Sequence, residues 1–135
     1  MERWLIKTEP ETYSIGDLAT DHTTEWNGVR NSLAQQYMRQ MEVGDPVLVY
    51  HSGKEKAVVG VAEVVREKYL DPNDAKGKAV CVEFAFKGTL DRPIALSEIR
   101  ATSKLKDMAL VKISRLSVMP IRASHWNTII EMSHG

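Results

Sequence analysis

Cysteine and net charge are what this sequence has least of, and each shortage excludes a class of protein. The 135 residues include one cysteine, Cys81, so the chain has no intramolecular disulfide and no cysteine-based zinc site. Lys plus Arg number 18 and Asp plus Glu number 18, so the formal net charge is zero. This balance excludes a polycation that wraps nucleic acid, because such binding depends on releasing counterions from many phosphates. Binding through one specific pocket stays open.

Long apolar runs are also missing. No segment approaches the ~18 apolar residues of a membrane span, and residues 1–7 are too short and too charged for a secretory signal. We therefore expect a cytoplasmic protein with no membrane partner. The chain also has no linker, repeat or low-complexity segment, so we expect a single domain over residues 1–135, present as a monomer.

The charges that are present are unevenly spread. Residues 1–50 hold 4 basic and 8 acidic residues (net −4), residues 51–100 hold 9 and 8 (net +1), and residues 101–135 hold 5 and 2 (net +3). A modest basic face from the later part of the chain is one interpretation. Lysines scattered over a solvated surface are the other.

The hydrophobic pattern predicts about five strands with short helices between them. Strands are predicted at 3–7, 47–51, 57–65, 80–87 and 116–121, and Gly60 is expected to mark a bend or a close backbone approach. A capping box at 14–17 opens a short helix, a clear amphipathic helix covers 32–41, helical turns follow at 96–101 and 105–110, and Ser124 is expected to cap a terminal helix. The pattern favours an α+β fold, a small curved barrel of mostly antiparallel strands with helices over its openings.

Three polar and aromatic clusters lie where regular elements meet, and loops at such junctions commonly carry function. They are Lys7 to Pro10 with Tyr13 and Ser14 just beyond, Glu25 to Asn31, and Tyr50 to Gly53. Tyr13, Tyr50 and Trp4 could add aromatic walls to a pocket, although a tyrosine at a strand end is more often structural.

Trp26 and the residues after it have the chemistry to bind a base and a phosphate. The flat face of Trp26 can stack on a base, or it can serve as a lid over the next helix. Asn31 has the donor and acceptor needed to read a base edge, or it can cap the helix that follows it. Arg30 suits a phosphate, or an ion pair with a nearby carboxylate of the acidic first third of the chain. Gly28 permits a positive φ.

Catalysis finds little support in the sequence. His51 and Ser52 are adjacent on an extended segment, so their side chains point in opposite directions and cannot form a dyad alone. The four histidines have no metal-ligand spacing, and no glycine-rich phosphate loop is present. We therefore expect a binding module that is not an enzyme and has no cofactor or metal.

Taken together and in order, the motifs resemble the EVE domain family over residues 4–121. They are Trp4-Leu5-Ile6-Lys7-Thr8-Glu9-Pro10, Tyr13-Ser14, Asp17-Leu18, Trp26-Asn27-Gly28-Val29-Arg30-Asn31, Val43-Gly44-Asp45, Tyr50-His51-Ser52 and Arg115-Leu116-Ser117-Val118. The resemblance implies a PUA-like fold, akin to YTH and ASCH domains: a bent β-barrel of about five to six mostly antiparallel strands with short helices packed around it.

The resemblance also implies a partner and a site. EVE domains are linked to modified cytosines in DNA, and the YTH relatives bind methylated adenine in RNA, so the implied partner is nucleic acid carrying a modified base, DNA ahead of RNA. Carried over by position, one pocket with Trp26 as its stacking wall would use Lys7, Tyr13, Ser14, Trp26, Asn27, Val29, Arg30, Asn31, Tyr50, His51, Ser52, Arg115 and Ser117. The alternatives are a module that binds a free nucleotide or metabolite in that pocket, and a hydrolase built around His51.

One segment departs from the family pattern. Members often have a longer loop between the two central strands, ending in a tryptophan, whereas here residues 71–78 lead directly into Val80. Any contact of that loop with nucleic acid, and with it the ligand preference, is thus in question. Zero net charge further predicts weak affinity for unmodified strands.

Overall fold

Six strands, five short helices and one 3-10 turn make up the chain, and the computed structural model describes all residues from 1 to 135. The strands are β1 (Trp4–Thr8), β2 (Thr23–Trp26), β3 (Pro46–His51), β4 (Ala57–Leu70), β5 (Val80–Ala95) and β6 (Val118–Pro120). The helices are α1 (Ile15–Asp21), α2 (Ser32–Met38), α3 (Leu96–Ala101), α4 (Ala109–Lys112) and α5 (Ala123–His134), and the 3-10 turn covers Ser103–Leu105. None of the helices is both long enough and apolar enough to cross a membrane.

All six strands form one sheet in the order β2-β5-β4-β3-β1-β6. Strands β1 and β3 are parallel, and the other four neighbouring pairs are antiparallel. The predicted α+β class with mostly antiparallel strands is therefore confirmed. The sheet is not a closed barrel, however, because its end strands β2 and β6 do not pair. Helix α2 packs against both β5 and β6, which places a helix across the gap between the two ends.

A cluster of 29 buried apolar residues forms the core. Trp4 is 1% exposed, and its indole N–H donates to Asp45 Oδ2 at 2.9 Å, so it belongs to the core and cannot form a pocket wall. Cys81 is buried as well, and burial raises the pKa of its thiol, in agreement with a packing role. Helix α5 packs on β5 and buries Ile129.

Gly60 allows α1 and β5 to approach β4 closely, as its position in an apolar run suggests. A Cβ built at Gly60 would lie 2.6 Å from Cδ1 of Ile15 and 2.9 Å from the carbonyl oxygen of Gly88. The registers of β4 with β3 and with β5 both shift beside this residue. The close packing and the register shifts at this point of β4 therefore coincide with the missing side chain.

Several boundaries differ from the sequence predictions for physical reasons. Strands β4 and β5 extend to Leu70 and Ala95, because their outer halves pair through backbone hydrogen bonds while exposing mostly polar side chains. Strand β2 was missed since only Trp26 in it is a large apolar residue. The prediction for Ser124 is wrong, because α5 begins at Ala123, after Arg122, with no side-chain cap.

Helix α2 also ends earlier than predicted, at Met38 rather than Met41. Tight turns follow, in which the N–H of Gln40 donates to the carbonyl of Tyr37 and the N–H of Met41 to that of Met38. These turns still bring Met41 into the core, where it is 2% exposed. The apolar stripe therefore predicted the burial of Ala34, Met38 and Met41 correctly, but it overestimated the length of the helix and placed the buried Gln35 on the polar face.

Candidate functional site

Eight of the thirteen residues predicted to share one pocket are divided by the structure among three concavities, and the other five (Ser14, Asn31, His51, Arg115 and Ser117) line none of them. We call them the Trp26 cleft (about 280 Å³), the Lys7 cleft (about 250 Å³) and the α2 groove (about 740 Å³). The Trp26 cleft is lined by Thr8, Thr12, Tyr13, Thr24, Glu25, Trp26 and Asn27. The Lys7 cleft is lined by Lys7, Tyr50, Ser52, Gly53, Lys56, Leu96, Arg100, Leu110 and Ser114. The α2 groove is lined by Val29, Arg30, Ser32, Gln35, Gln36, Arg39, Asp74, Lys76, Lys78 and Ala79.

Strand geometry explains why the two clefts are separate. In the parallel pair β1–β3, Lys7 lies opposite Tyr50 and Thr8 lies opposite His51. Successive side chains on a strand point to opposite faces of the sheet. Lys7 and Tyr50 therefore face the Lys7 cleft, while Thr8 faces the Trp26 cleft on the other side.

Trp26 has a fixed ring in the wall of its cleft. It ends β2 and is half-buried, and its ring lies edge-on to Phe84 with centroids 5.6 Å apart and to Tyr13 at 6.3 Å. The Tyr13 hydroxyl donates to Asp21 Oδ2 at 2.8 Å, and burial raises its pKa. Because Phe84 and Tyr13 both pack against the Trp26 ring, the indole is presented to the cleft in one orientation.

Polar groups beside Trp26 are held by hydrogen bonds of their own. Asn27 Nδ2 donates to Glu25 Oε1 at 2.9 Å, and the Tyr69 hydroxyl donates to Glu25 Oε2 at 2.7 Å. These two bonds, that from Tyr69 first, lower the pKa of the Glu25 carboxyl. The floor of the cleft adds the hydroxyls of three threonines. The cleft thus combines one aromatic face with amide, carboxylate and hydroxyl groups.

His51 positions the segment that carries Tyr13. Its Nε2 accepts the N–H of Ile15 at 3.0 Å, which requires the proton on Nδ1, and Nδ1 lies 2.8 Å from Glu55 Oε1. The hydroxyl of Thr8 donates to the carbonyl of Tyr13 at 2.6 Å. His51 is 5% exposed, and both of its ring nitrogens are occupied, so no nitrogen is free to act as a base.

Ser14 and Asn31 both cap helices. Ser14 Oγ accepts the N–H of Asp17 at 3.0 Å, and the Asp17 carboxylate accepts the N–H of Ser14 at 2.9 Å, which confirms the predicted capping box. Asn31 Oδ1 accepts the N–H of Ala34 at 2.9 Å at the start of α2. The capping alternative for Asn31 is therefore present in the structure, and its use as a base reader stays a prediction.

Asp71 supports the candidate site and was not predicted from the sequence. Its carboxylate accepts the N–H of Gly28 (2.9 Å) and one guanidinium N–H of Arg30 (3.1 Å) through Oδ2, and the N–H of Asn73 (2.8 Å) through Oδ1. Burial alone would raise its pKa, but these bonds outweigh it and lower the pKa. Asp71 thus fixes the loop after Trp26. Arg30 forms an ion pair, as one alternative expected, but with Asp71 and not with a carboxylate of the first third of the chain, and its side chain stays 48% exposed. The Asp-Pro-Asn turn at 71–73 was the available signal.

Gln35 supports the same loop from α2. It is 5% exposed, and its amide donates to the carbonyls of Val29 (2.8 Å) and Val80 (3.0 Å) and accepts the N–H of Val80 (2.8 Å). A glutamine on the polar side of a predicted helix gave no sign of this bridge. Through it, Val29 at the groove is tied to the start of β5.

The Lys7 cleft is a basic concavity. Lys7 Nζ donates to the carbonyl of Ser114 at 2.7 Å and lies 5.7 Å from the centroid of the Tyr50 ring, and burial lowers its pKa. Lys56 and Arg100 also line this cleft, and none of its lining residues is acidic.

The remaining predicted residues are Ser52, Ser117 and Arg115, of which Ser52 alone lines the Lys7 cleft. Ser52 Oγ donates to Glu9 Oε2 at 3.3 Å, and Ser117 lies beside Lys7, whose N–H it accepts through its carbonyl at 2.9 Å. Arg115 is exposed and lines none of the three concavities. No group of three or more His, Cys, Asp or Glu side chains is placed to hold a metal ion.

Comparison with known proteins identifies the family. The model of the EVE domain matches residues 2–132. The chain belongs to the EVE domain family. Among curated EVE-related proteins, thymocyte nuclear protein 1 of Danio rerio is 31% identical over 166 residues, which cover 98% of this chain and 72% of that protein.

Solved structures agree with this EVE assignment. A protein of Rhodopseudomonas palustris solved by NMR has a TM-score of 0.94 and 40% identity, with 99% of this chain and 94% of that one covered. Human THYN1 in complex with DNA containing 5-methylcytosine has a TM-score of 0.93 and 28% identity, with 100% and 99% covered. The EVE fold is therefore shared along nearly the whole chain.

Proposed function

We propose that this EVE domain is a non-enzymatic module that binds nucleic acid and holds one modified base in the Trp26 cleft. Modified cytosine in DNA is the first candidate and a modified RNA base the second. The observation that carries the proposal is the half-buried indole of Trp26, held by Phe84 and Tyr13 beside polar groups. The likeness to human THYN1, solved with DNA containing 5-methylcytosine, supports the choice of base.

The cleft suits a base that has left its stack. A volume of about 280 Å³ is near the lower end of ligand pockets, which start at about 300 Å³, and so fits one ring better than a dinucleotide. Stacking on Trp26 would offset the cost of unstacking the base, and Asn27, Glu25 and the threonine hydroxyls supply hydrogen bonds to its edge. A methyl group on the pyrimidine adds apolar contact with the aromatic wall.

Substituting Trp26 tests the proposal. Base–aromatic stacking contributes about 1–3 kcal/mol, so Trp26→Ala should weaken binding of a 5-methylcytosine oligonucleotide by about 5- to 150-fold. Trp26→Phe keeps an aromatic ring and should lose less. Trp126→Ala removes a tryptophan from α5, outside all three concavities, and should leave affinity unchanged.

The measurement is a fluorescence anisotropy titration with 5-methylcytosine and unmodified strands of the same sequence. Thermal unfolding of each variant separates loss of binding from loss of fold, because Trp26 also packs on Phe84. Equal binding of the two strands by the wild type, or equal binding by wild type and a folded Trp26→Ala, contradicts the proposal.

A second candidate is the binding of a free nucleotide in the Lys7 cleft. The observation that favours it is the set of three cations, Lys7, Lys56 and Arg100, with no acidic residue in the lining. Calorimetry with cytidine monophosphate should then detect binding that Lys56→Gln weakens and Trp26→Ala does not. Absence of heat with the free nucleotide would rule this candidate out.

The hydrolase alternative is weakened by the geometry of His51, whose two ring nitrogens are both occupied. We therefore propose binding without turnover. Nuclease or nucleotidase turnover by the purified protein that His51→Ala abolishes would revive the enzyme.

A further inference from the structure

We propose that the α2 groove binds the sugar–phosphate backbone of the strand whose base occupies the Trp26 cleft. This inference rests on the proposed function and assigns a second, separate part of the ligand to a second surface. The groove is the largest concavity of the molecule, about 740 Å³. Four cations and one carboxylate line it, so its lining has a net charge of +3 in a protein whose formal net charge is zero.

The cations of the groove are largely without acidic partners. Of the seven ion pairs in the protein, only Arg30–Asp71 involves a residue of the groove. Arg39 donates to the carbonyl of Lys78 at 3.1 Å and has no carboxylate partner, and the ammonium groups of Lys76 and Lys78 make no hydrogen bond within the protein. Outside the groove, Arg66, Lys87, Arg92 and Lys112 each pair with a carboxylate, whereas Lys56 and Arg100 in the Lys7 cleft do not. Several unpaired cations in one concavity create a field that attracts an anion.

The one carboxylate in the groove is already occupied. Asp74 accepts the backbone N–H groups of Lys76 (3.1 Å), Lys78 (3.0 Å) and Ala79 (2.6 Å). These bonds, with that of Ala79 contributing most, lower the pKa of Asp74. Asp74 therefore acts as the internal support of the 71–79 loop. The short loop is thus ordered so that Lys76 and Lys78 lie beside Arg39, which follows the last residue of α2.

A short segment of the chain connects the groove and the Trp26 cleft, which share no lining residue. Trp26 and Asn27 line the cleft, while Val29 and Arg30 line the groove. Asn27 and Val29 are two residues apart, so at most about 7 Å of chain separates them. Asp71 holds both Gly28 and Arg30, which fixes the two surfaces relative to each other. A strand with one base in the cleft would therefore have neighbouring phosphates within reach of these cations.

Removing the two loop charges tests the assignment. Lys76→Gln with Lys78→Gln keeps polar, flexible side chains and removes two cations, both at exposed positions. Lys104→Gln with Lys106→Gln removes the same charge from exposed positions outside the three concavities. Affinity for 5-methylcytosine and unmodified oligonucleotides is measured from about 50 to 300 mM salt, and thermal unfolding confirms that both variants fold.

We expect the negative slope of log affinity against log salt concentration to become shallower by about 1 for each lysine that contacts a phosphate. Affinity should fall equally for both strands. The Lys104/Lys106 control should keep the wild-type slope. A slope in the Lys76/Lys78 variant equal to that of the control overturns the inference. So does a failure of the wild type to bind any oligonucleotide.

Two further results distinguish the groove assignment from the proposed base recognition and from the binding of a free phosphate compound. If the wild type binds both strands equally while the Lys76/Lys78 variant loses slope, base recognition fails and the groove assignment stands. If inorganic pyrophosphate alone binds the wild type as tightly as the oligonucleotide does, and the double variant loses that binding, the groove holds a free phosphate compound and the strand assignment is overturned.

Discussion

The Trp26 cleft and the α2 groove are neighbours that differ in how their polar groups are used. In the cleft, Glu25, Asn27 and Tyr13 are each committed to hydrogen bonds within the protein. In the groove, Lys76 and Lys78 have no such partner. Fixed, directional groups suit the reading of one base, because discrimination is a difference between two affinities. Free cations suit a charged polymer whose sequence does not matter.

Asp71 joins the cleft and the groove, and removing its carboxylate should have the largest effect on the free energy of unfolding. Asp71→Ala removes a carboxylate, itself 3% exposed, that accepts the N–H groups of Gly28 and Asn73 and one guanidinium N–H of Arg30. Hydrogen bonds to a charged group contribute about 1.5–3 kcal/mol each, but the three donors lie on exposed residues that water can reach, so we expect a loss of about 3 kcal/mol in the free energy of unfolding, measured in urea.

Asp107→Ala is the control for that change, since it removes an exposed carboxylate paired with Lys112 and should cost under about 1 kcal/mol. Asp71→Ala should also weaken binding of modified and unmodified strands together. If the two variants lose equal stability, Asp71 is not the link between cleft and groove.

Breaking the His51 contact should affect the cleft and spare the groove. His51→Leu keeps the apolar volume but leaves the buried N–H of Ile15 without an acceptor, so we expect a loss of about 2 kcal/mol. Hydrogen exchange at Ile15 should accelerate, while exchange at Ala79, which is bonded to Asp74, should not. Acceleration at both amides to the same extent would mean that the two regions open as one unit.

Asn31 offers a smaller and sharper comparison, because it caps α2 and is also the predicted base reader. Asn31→Ala should cost about 1 kcal/mol of stability, whereas Asn31→Ser keeps a capping oxygen and should cost a few tenths. If Asn31 reads a base, both variants lose discrimination between strands. If it only caps, discrimination is unchanged in Asn31→Ser, as a parallel binding titration will reveal.

The smallest effect is expected on the pH dependence of stability below about pH 5. The pKa of Asp71 is lower in the folded protein than its ordinary value of 3.8, so the unfolded chain takes up this proton first as pH falls. The stability from Asp71 is therefore complete above about pH 5 and is lost as pH falls through the folded-state pKa. Asp71→Asn should show a shallower decline in Tm between about pH 5 and pH 3. A decline as steep as that of the wild type would contradict this.

Features that depend on neighbours along the chain could be predicted from the sequence. The capping box at Ser14, the apolar face of α2 and the close approach at Gly60 all depend on local spacing, and each is confirmed. The outer halves of β4 and β5 could not be predicted in this way, since backbone pairing holds them while their side chains face water. Hydrophobic periodicity indicates which residues are buried, but it gives no signal for a strand segment that is held only by backbone pairing.

The residues of the candidate site likewise divide into those that the sequence indicated and those that only the fold brings together. Trp26 was recognisable because an indole in a polar segment has no local reason to be there. That Lys7 and Thr8 would face different clefts required the pairing of β1 with β3, whose residues lie more than 40 positions later. The bonds from Asp71 to Gly28 and from His51 to Ile15 join residues 43 and 36 positions apart. No local spacing encodes such distances.

By itself, then, the sequence determined the family, the α+β class, the local caps and the chemistry available in the segments around Lys7, Trp26 and His51. Tertiary structure alone decided which of those residues meet, because strand pairing puts alternate side chains on opposite faces. It divided one expected pocket into an aromatic cleft, a basic cleft and a cationic groove. It also placed unpaired cations together in the groove and in the Lys7 cleft, which a net charge of zero conceals.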